Sequence, residues 1–263
     1  TTKKLRCLKV KVHSGVLWFW SNWQKVFAEF LSTMMLISMG CLTTIPVAGS
    51  ESVLFAPLGF GMIVMFNIQI FGHISGAYMN PAVTLSSVIF GKTSIPLGIA
   101  HTVVQCLGAI VGYGLMEAVT AIDASSSGIC VTTPSPDQNV IHSLAIETIL
   151  TTALMLINCA TWDPINKDKQ ETAPLKFGLS ILGLSLIGGP YTGASMNPAR
   201  TLGPAVWTAV WTQHWIYWVG PILGSIIGTF IYMFAFLRSC GVSNEKALLP
   251  HSKNFNFFLR KTF

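Results

Sequence analysis

The sequence predicts an all-α integral membrane protein with six transmembrane helices and two half-helices arranged as an inverted repeat. Composition is the first observation behind this prediction: 51% of the 263 residues are hydrophobic and 10% are charged, whereas a soluble domain has about 25% charged residues. A duplicated motif is the second. Residues 75–85 and 192–202 are identical at eight of eleven paired positions, and such a repeat fixes the architecture before any fold is named.

Each copy of the motif contains Asn-Pro-Ala, which is typical of a helix start. Asparagine is a favoured N-cap, and proline is favoured at the first helical position. The helices that would begin at Asn80 and Asn197 extend to about residues 90 and 206. At 1.5 Å per residue, a helix of about ten residues is about 15 Å long, half of a hydrocarbon core. We therefore predict two half-helices that enter from opposite faces and meet at their N-termini.

Six apolar segments of membrane-spanning character surround the two motifs. They are predicted at about 26–47, 53–71, 95–120, 140–160, 175–188 and 215–237. Three spans and one motif form each half, and because three is an odd number the halves are inverted, as in membrane proteins with a site near the midplane. The predicted membrane domain covers 26–239, with repeats at about 26–120 and 140–239, between tails at 1–25 and 240–263.

The basic residues predict the orientation. Fifteen of the sixteen lysines and arginines lie in the two tails or in the loops after spans two and four. Since cytoplasmic segments collect these residues, we expect a multi-pass plasma-membrane protein with both termini in the cytoplasm. A net charge of +6 distributed in this way forms no basic stripe, so no nucleic-acid partner is expected. The exception is Arg200, whose place in an apolar segment is costly and suggests a function.

The cysteines and the other reactive residues exclude several functions. The six cysteines lack metal-ligand spacing, and Cys41, Cys106 and Cys159 fall inside apolar segments, so no disulfide framework is expected. The chain shows no nucleophile–base pair, metal cluster, phosphate loop or nucleotide motif. We therefore expect no enzymatic activity, no metal and no cofactor.

The paired motifs, the inverted repeat and Arg200 together resemble the aquaporin (major intrinsic protein) family over the whole chain apart from the tails. The resemblance implies a passive pore for water and small uncharged solutes, formed in each subunit of a homotetramer within the lipid bilayer. Two half-helix N-termini, each carrying about half a positive charge, would repel cations and protons, while the asparagine amides bind passing water. The alternative is that the asparagines only cap helices. The implied pore residues are Asn80, Pro81, Ala82, Asn197, Pro198 and Ala199.

The resemblance also implies a selectivity filter of four residues at fixed spacing from the motifs, namely Phe60, Ser185, Ala194 and Arg200. Phe60 and Arg200 match the water-selective members of the family. Ser185 stands where those members usually carry histidine, and a smaller residue leaves a wider opening that suits glycerol, with urea as a further candidate permeant. Without the motif spacing, Phe60 would be read as a lipid-facing or core aromatic, and Ser185 as a small packing residue.

Thr201 separates the chain from the usual glycerol channels, which place aspartate directly after the filter arginine. The combination of a water-channel backbone with a small residue in place of the filter histidine resembles the insect group called entomoglyceroporins. Three alternatives stay open: a water-selective aquaporin with little glycerol flux, a secondary transporter, which also uses broken helices, and an adhesive or junctional protein that keeps the fold.

Two acids inside predicted spans, Glu29 and Glu147, occupy matching positions of the two halves. Intramembrane acids suggest a function, and the resemblance implies that these two brace the backbone of the broken-helix loops rather than relay protons. His73, seven residues before Asn80, is a candidate for the cytoplasmic pore mouth or an ordinary structural histidine. Gln105 is interpreted as a close-packing residue.

Overall fold

The computed structural model describes residues 2–46, 54–120, 123 and 128–237, with the backbone alone for residues 2–16. Within these ranges the chain is helical. The α-helices are α1 (Thr2–Leu42), α2 (Phe55–Phe71), α3 (Pro81–Ile89), α4 (Ile95–Val119), α5 (Val140–Trp162), α6 (Ala173–Thr192), α7 (Pro198–Thr208) and α8 (Ile216–Ala235). A 3-10 helix, Pro164–Thr172, connects α5 to α6.

The helices agree with the predicted spans. Five helical segments of the described residues are long and apolar enough to cross a membrane, and α2 adds a sixth apolar helix of 17 residues. At 1.5 Å per residue, α2 is about 26 Å long, close to the thickness of a hydrocarbon core. The predicted bounds were wrong for the first span, whose apolar helical segment runs from Leu17 to Leu42, and for the fifth, because α6 continues through Pro190 to Thr192. The half-helices α3 and α7 have 9 and 11 residues.

The two halves pack in the same way. In the first half α1 lies along α4, and in the second half α5 lies along α8, while α2 and α6 pack against each other across the halves. The half-helix α3 packs against α4 and α8, and α7 packs against α4. This matched pairing is the inverted repeat that the duplicated motif predicts.

Glycines bring the paired helices into backbone contact. A Cβ atom added to Gly112 of α4 would collide with the carbonyl oxygen of Met34 in α1. In the second half, a Cβ atom on Gly224 of α8 would lie 2.5 Å from the carbonyl oxygen of Thr148 in α5. Small residues at such crossings let membrane helices approach closely. Glycines therefore determine the close packing of the paired helices in both halves.

A disulfide joins Cys41, at the end of α1, to Cys130 in the loop between α4 and α5 (the α4–α5 loop, residues 120–139). The expectation of no disulfide framework was therefore wrong for this pair. The apolar sequence around Cys41 concealed it, and the two cysteines are 89 residues apart, a pairing that sequence alone cannot give. Cys106 and Cys159 are free.

Candidate functional site

The two half-helices meet at their N-termini, where each asparagine holds both halves of the chain. Asn80 is the N-cap of α3, and Asn197 is the N-cap of α7. The side-chain oxygen of each accepts the backbone N–H two residues further along, at 2.8 Å and 3.0 Å. Each side-chain amide also crosses to the other half: Nδ2 of Asn80 donates to the carbonyl oxygen of Met196, and Nδ2 of Asn197 donates to that of Met79, both at 2.8 Å.

These bonds determine what the asparagines can offer to a molecule in the pore. An asparagine amide carries two N–H donors, and the opposite half accepts one of them. Among the described residues, this leaves one N–H of Asn80 and one of Asn197 for the cavity that both residues line. Their small exposed fractions, 5% and 6%, match groups that meet solvent only at such a cavity. The asparagines thus cap helices and can also bind a permeant.

The loops that lead into α3 and α7 have the same unusual backbone in both halves. Ala77 and Met79 have φ of 48° and 54°, and Ala194 and Met196 have φ of 46° and 52°. Residues other than glycine rarely adopt this left-handed region, and each such residue costs on the order of 1–3 kcal/mol. Four matched instances therefore require strong local contacts.

Glu29 of α1 supplies those contacts to the first loop. Its Oε1 accepts the hydroxyl of Ser75 at 2.7 Å and the backbone N–H of Tyr78 at 2.8 Å. Its Oε2 accepts the backbone N–H of Met79 and the side-chain amide of Gln105, both at 2.8 Å. The interpretation of Gln105 as a packing residue was therefore incomplete, because its amide orients the carboxylate.

Glu147 of α5 makes the equivalent contacts in the second loop. Its Oε1 accepts the hydroxyl of Thr192 at 2.7 Å and the backbone N–H of Ser195 at 2.9 Å. Its Oε2 accepts the backbone N–H of Met196 at 2.8 Å. Glu147 and Glu29 are both fully buried. These hydrogen bonds are the ones that bracing of the loop backbone requires.

The four residues predicted for the filter surround one cavity of about 580 Å³. Phe60 lies on α2, Ser185 on α6, Ala194 in the second loop and Arg200 in the first turn of α7. The guanidinium carbon of Arg200 is 4.9 Å from the centroid of the Phe60 ring, within the range of a cation–π contact. The structure thus brings an aromatic face, a cation and two small side chains to one cavity.

The guanidinium of Arg200 also binds the backbone of the α4–α5 loop. Its Nη1 donates to the carbonyl oxygen of Cys130 at 2.6 Å. Arg200 is half-buried, and a cation in such a place needs an acceptor, because an unpaired charge in a membrane protein is costly. Sequence reasoning missed Cys130 as a site residue, since it lies in a loop that long-range contacts, among them the disulfide, bring to Arg200.

Tyr78 is a second cavity-lining residue that sequence reasoning missed. Its ring centroid is 5.8 Å from that of Trp162, which lines the same cavity, and its hydroxyl is 3.2 Å from Oγ1 of Thr93. A signal was available, because the motif copies differ here, with Tyr78 in the first and Ser195 in the second.

His73 is exposed in the turn after α2 and is not among the residues that line the cavity. Its assignment to the cytoplasmic pore mouth stays a prediction. Within the described residues, no group of three or more histidine, cysteine or acidic side chains could hold a metal ion.

Comparison with known proteins identifies the family. The family profile described as "Major intrinsic protein" matches residues 17–232. The chain belongs to the major intrinsic protein family. Aquaporin-4 of Mus musculus is 39% identical over 225 residues, covering 84% of this chain and 69% of that protein. The lens fiber major intrinsic protein of Lithobates pipiens is 37% identical and covers 89% of both chains.

A solved structure agrees on the fold of this major intrinsic protein. The aquaglyceroporin from Plasmodium falciparum matches with a TM-score of 0.71 and 24% identity, covering 81% of this chain and 96% of that one. The aquaporin resemblance and the aquaporin fold predicted from the motifs are therefore confirmed. The protein is a multi-pass membrane protein of a family of passive channels for water and small solutes, not of enzymes. The entomoglyceroporin subgroup stays a prediction.

The loop contacts generate a prediction for Glu147→Gln. A glutamine side chain offers one acceptor oxygen instead of two, so at least one buried donor of the second loop loses its partner, at a cost of roughly 1–3 kcal/mol. We expect a lower free energy of unfolding and lower water flux per channel, measured by thermal unfolding in detergent and by stopped-flow light scattering of vesicles. Glu171→Gln on the exposed 3-10 helix is the matched control. Equal stability of the two variants would contradict the bracing role.

Proposed function

We propose that this major intrinsic protein conducts water and small uncharged solutes such as glycerol, with urea as a further candidate, and excludes protons and ions. The observation that supports the glycerol proposal is the composition of the filter. The side chains of Ser185 and Ala194 are small and leave open space in the cavity that Phe60 and Arg200 also line. The opening beside Ser185 offers one hydroxyl where water-selective relatives usually place an imidazole.

Glycerol suits these groups because it has a polar and an apolar edge. Its C–H edge can lie on the Phe60 ring while its hydroxyls accept hydrogen bonds from Arg200 and exchange them with Ser185. Hydration is then replaced by protein contacts, which avoids a cost of roughly 1–3 kcal/mol for each buried polar group left without a partner. Beyond the filter, the remaining N–H groups of Asn80 and Asn197 donate hydrogen bonds to the oxygen atoms of the same hydroxyls.

A narrower function, a water-selective channel with little glycerol flux, is favoured by one feature. The phenol of Tyr78 lines the cavity near Trp162, so two large aromatic side chains form part of the cavity wall. If Tyr78 sets the largest size of solute that passes, small residues at the filter are not enough to let glycerol through. The same flux measurement separates the two proposals.

The glycerol proposal predicts the effect of Ser185→His. The imidazole fills the open side of the filter, so we expect glycerol permeability to fall by roughly tenfold or more, since steric discrimination of small groups reaches this size, while water flux persists. Stopped-flow light scattering of vesicles with water, glycerol and urea measures all three permeabilities. Ser180→His lies on the same helix outside the cavity lining and should leave them unchanged. Equal glycerol permeability of the two variants, at matched channel amounts, would remove Ser185 from this role.

The exclusion of charge follows from two positive regions along the passage. Arg200 places a fixed cation at the filter, and the N-termini of α3 and α7 each contribute about half a positive charge at the asparagines. We expect no proton or sodium current from purified protein in planar bilayers, measured alongside water flux from the same preparation. A cation-selective current that scales with the amount of protein would refute this part of the proposal.

We further propose a plasma-membrane location with both termini in the cytoplasm, a channel domain at 26–239 between cytoplasmic tails at 1–25 and 240–263, and a homotetramer, as the family resemblance implies. The distribution of lysine and arginine supports the orientation. The Cys41–Cys130 disulfide supports it independently, because disulfides persist on the oxidising side of a membrane, and this pair lies at the opposite end of α5 from Lys167.

The orientation predicts which loops a reagent outside the cell can reach. A cysteine introduced as Lys167→Cys should resist an impermeant maleimide applied to intact cells and react after permeabilisation. Asp137→Cys, exposed in the α4–α5 loop, is the matched control and should react in intact cells. The reverse labelling pattern would overturn the proposed orientation.

A further inference from the structure

The residues 129–132 of the α4–α5 loop, called here the anchored segment, are tied to the helical frame. Cys130 is bonded covalently to Cys41 at the end of α1. The hydroxyl of Tyr113 in α4 donates to the carbonyl oxygen of Ile129 at 2.9 Å. Two neighbouring residues of one loop are thus fixed to two different helices.

The anchored segment in turn contacts the first turn of α7. The carbonyl oxygen of Cys130 accepts Nη1 of Arg200 at 2.6 Å. The hydroxyl of Thr132 donates to the hydroxyl of Thr201, the residue after Arg200, at 2.8 Å. The covalent bond and the hydrogen bond to the filter therefore share one residue, Cys130.

The Cys130 carbonyl is the one hydrogen-bond acceptor that the described part of the chain gives to the Arg200 guanidinium. The other partner, the Phe60 ring at 4.9 Å, lies on the wall of the same cavity and offers no directional acceptor. A guanidinium with five donors that loses this carbonyl will turn towards other oxygen atoms. In this site those are the carbonyl groups and permeant molecules of the cavity.

We propose that the Cys41–Cys130 disulfide is a positioning element of the filter, which holds the Cys130 carbonyl so that the Arg200 guanidinium stays against the cavity wall. Without the disulfide, the carbonyl moves with its loop, and the guanidinium turns into the passage beside Ser185. The channel then conducts less water per copy, and the wider glycerol is affected more. The proposal rests on the proposed passage through this cavity, but it does not depend on glycerol as a permeant.

The test uses the double substitution Cys41→Ser with Cys130→Ser in the full chain, reconstituted in vesicles. We expect water permeability per channel to fall by about tenfold, the size of a population shift on loss of a hydrogen bond to a charged group. Cys106→Ser removes a free cysteine and serves as the matched control, with permeability unchanged.

A second comparison separates positioning from a general effect on folding. In an Arg200→Ala background there is no guanidinium to turn, so the same cysteine substitutions should leave permeability per channel unchanged. A merely structural disulfide would lower it in both backgrounds, since effects on independent functions add. The same fall in both backgrounds, or no fall in either, would overturn the proposal.

Reduction of the reconstituted wild-type protein provides a test that does not require the variant to fold. A water-soluble phosphine gives two electrons to the disulfide, yielding two thiols and a phosphine oxide whose oxygen comes from water. Mass spectrometry counts the thiols. Full reduction with unchanged water permeability would refute the positioning role. Absence of glycerol flux from the oxidised protein would refute only the glycerol proposal, because the water measurement tests the disulfide by itself.

Discussion

Backbone N–H groups inside a bilayer must find their partners within the protein, and the structure depends on how two buried carboxylates meet this requirement. Helices satisfy it internally, but the loops before α3 and α7 cannot. Glu29 and Glu147 each accept two backbone N–H groups and a hydroxyl of one loop. Held in this way, the loops keep left-handed residues that would otherwise relax, and the half-helices can meet. The crossing bonds of Asn80 and Asn197 are a consequence of that meeting.

The repeat builds the passage, and the differences between its copies give the passage two unlike ends. The motifs differ at three of eleven positions. At one of these positions the second copy has Arg200 where the first copy has Val83, so that a cation occurs on one side of the asparagines only. At another, the first copy has Tyr78 where the second copy has Ser195, so that the Tyr78 ring occurs on the other side. The two ends of the cavity therefore differ in chemistry, which a perfectly symmetrical repeat could not achieve.

The sequence predicted those parts of the molecule that depend on repetition and spacing. The inverted repeat followed from the motif copies, and spacing within the family selected four residues, Arg200 among them, that line one cavity; their role as a filter stays a proposal. The parts it did not predict depend on contacts between distant segments. Cys130 reaches the filter through a loop whose path no periodicity describes, and Gln105 contacts Glu29 across a helix crossing. Tyr78 could have been found from the difference between the copies, but its place on the cavity wall required the backbone of the loop.

The hydrogen-bond partner of Arg200 also follows from the requirement that polar groups inside a membrane protein find partners within the protein. A carboxylate would bind the guanidinium more strongly, but it would also neutralise the charge that we propose as the barrier to cations. A backbone carbonyl satisfies one donor and leaves the net charge in place. Glu147, the buried glutamate of this half, already uses both oxygens for the second loop. The loop of Cys130 therefore gives Arg200 a dipole as its partner, and the positive charge that the proposed filter requires is not cancelled by an acid.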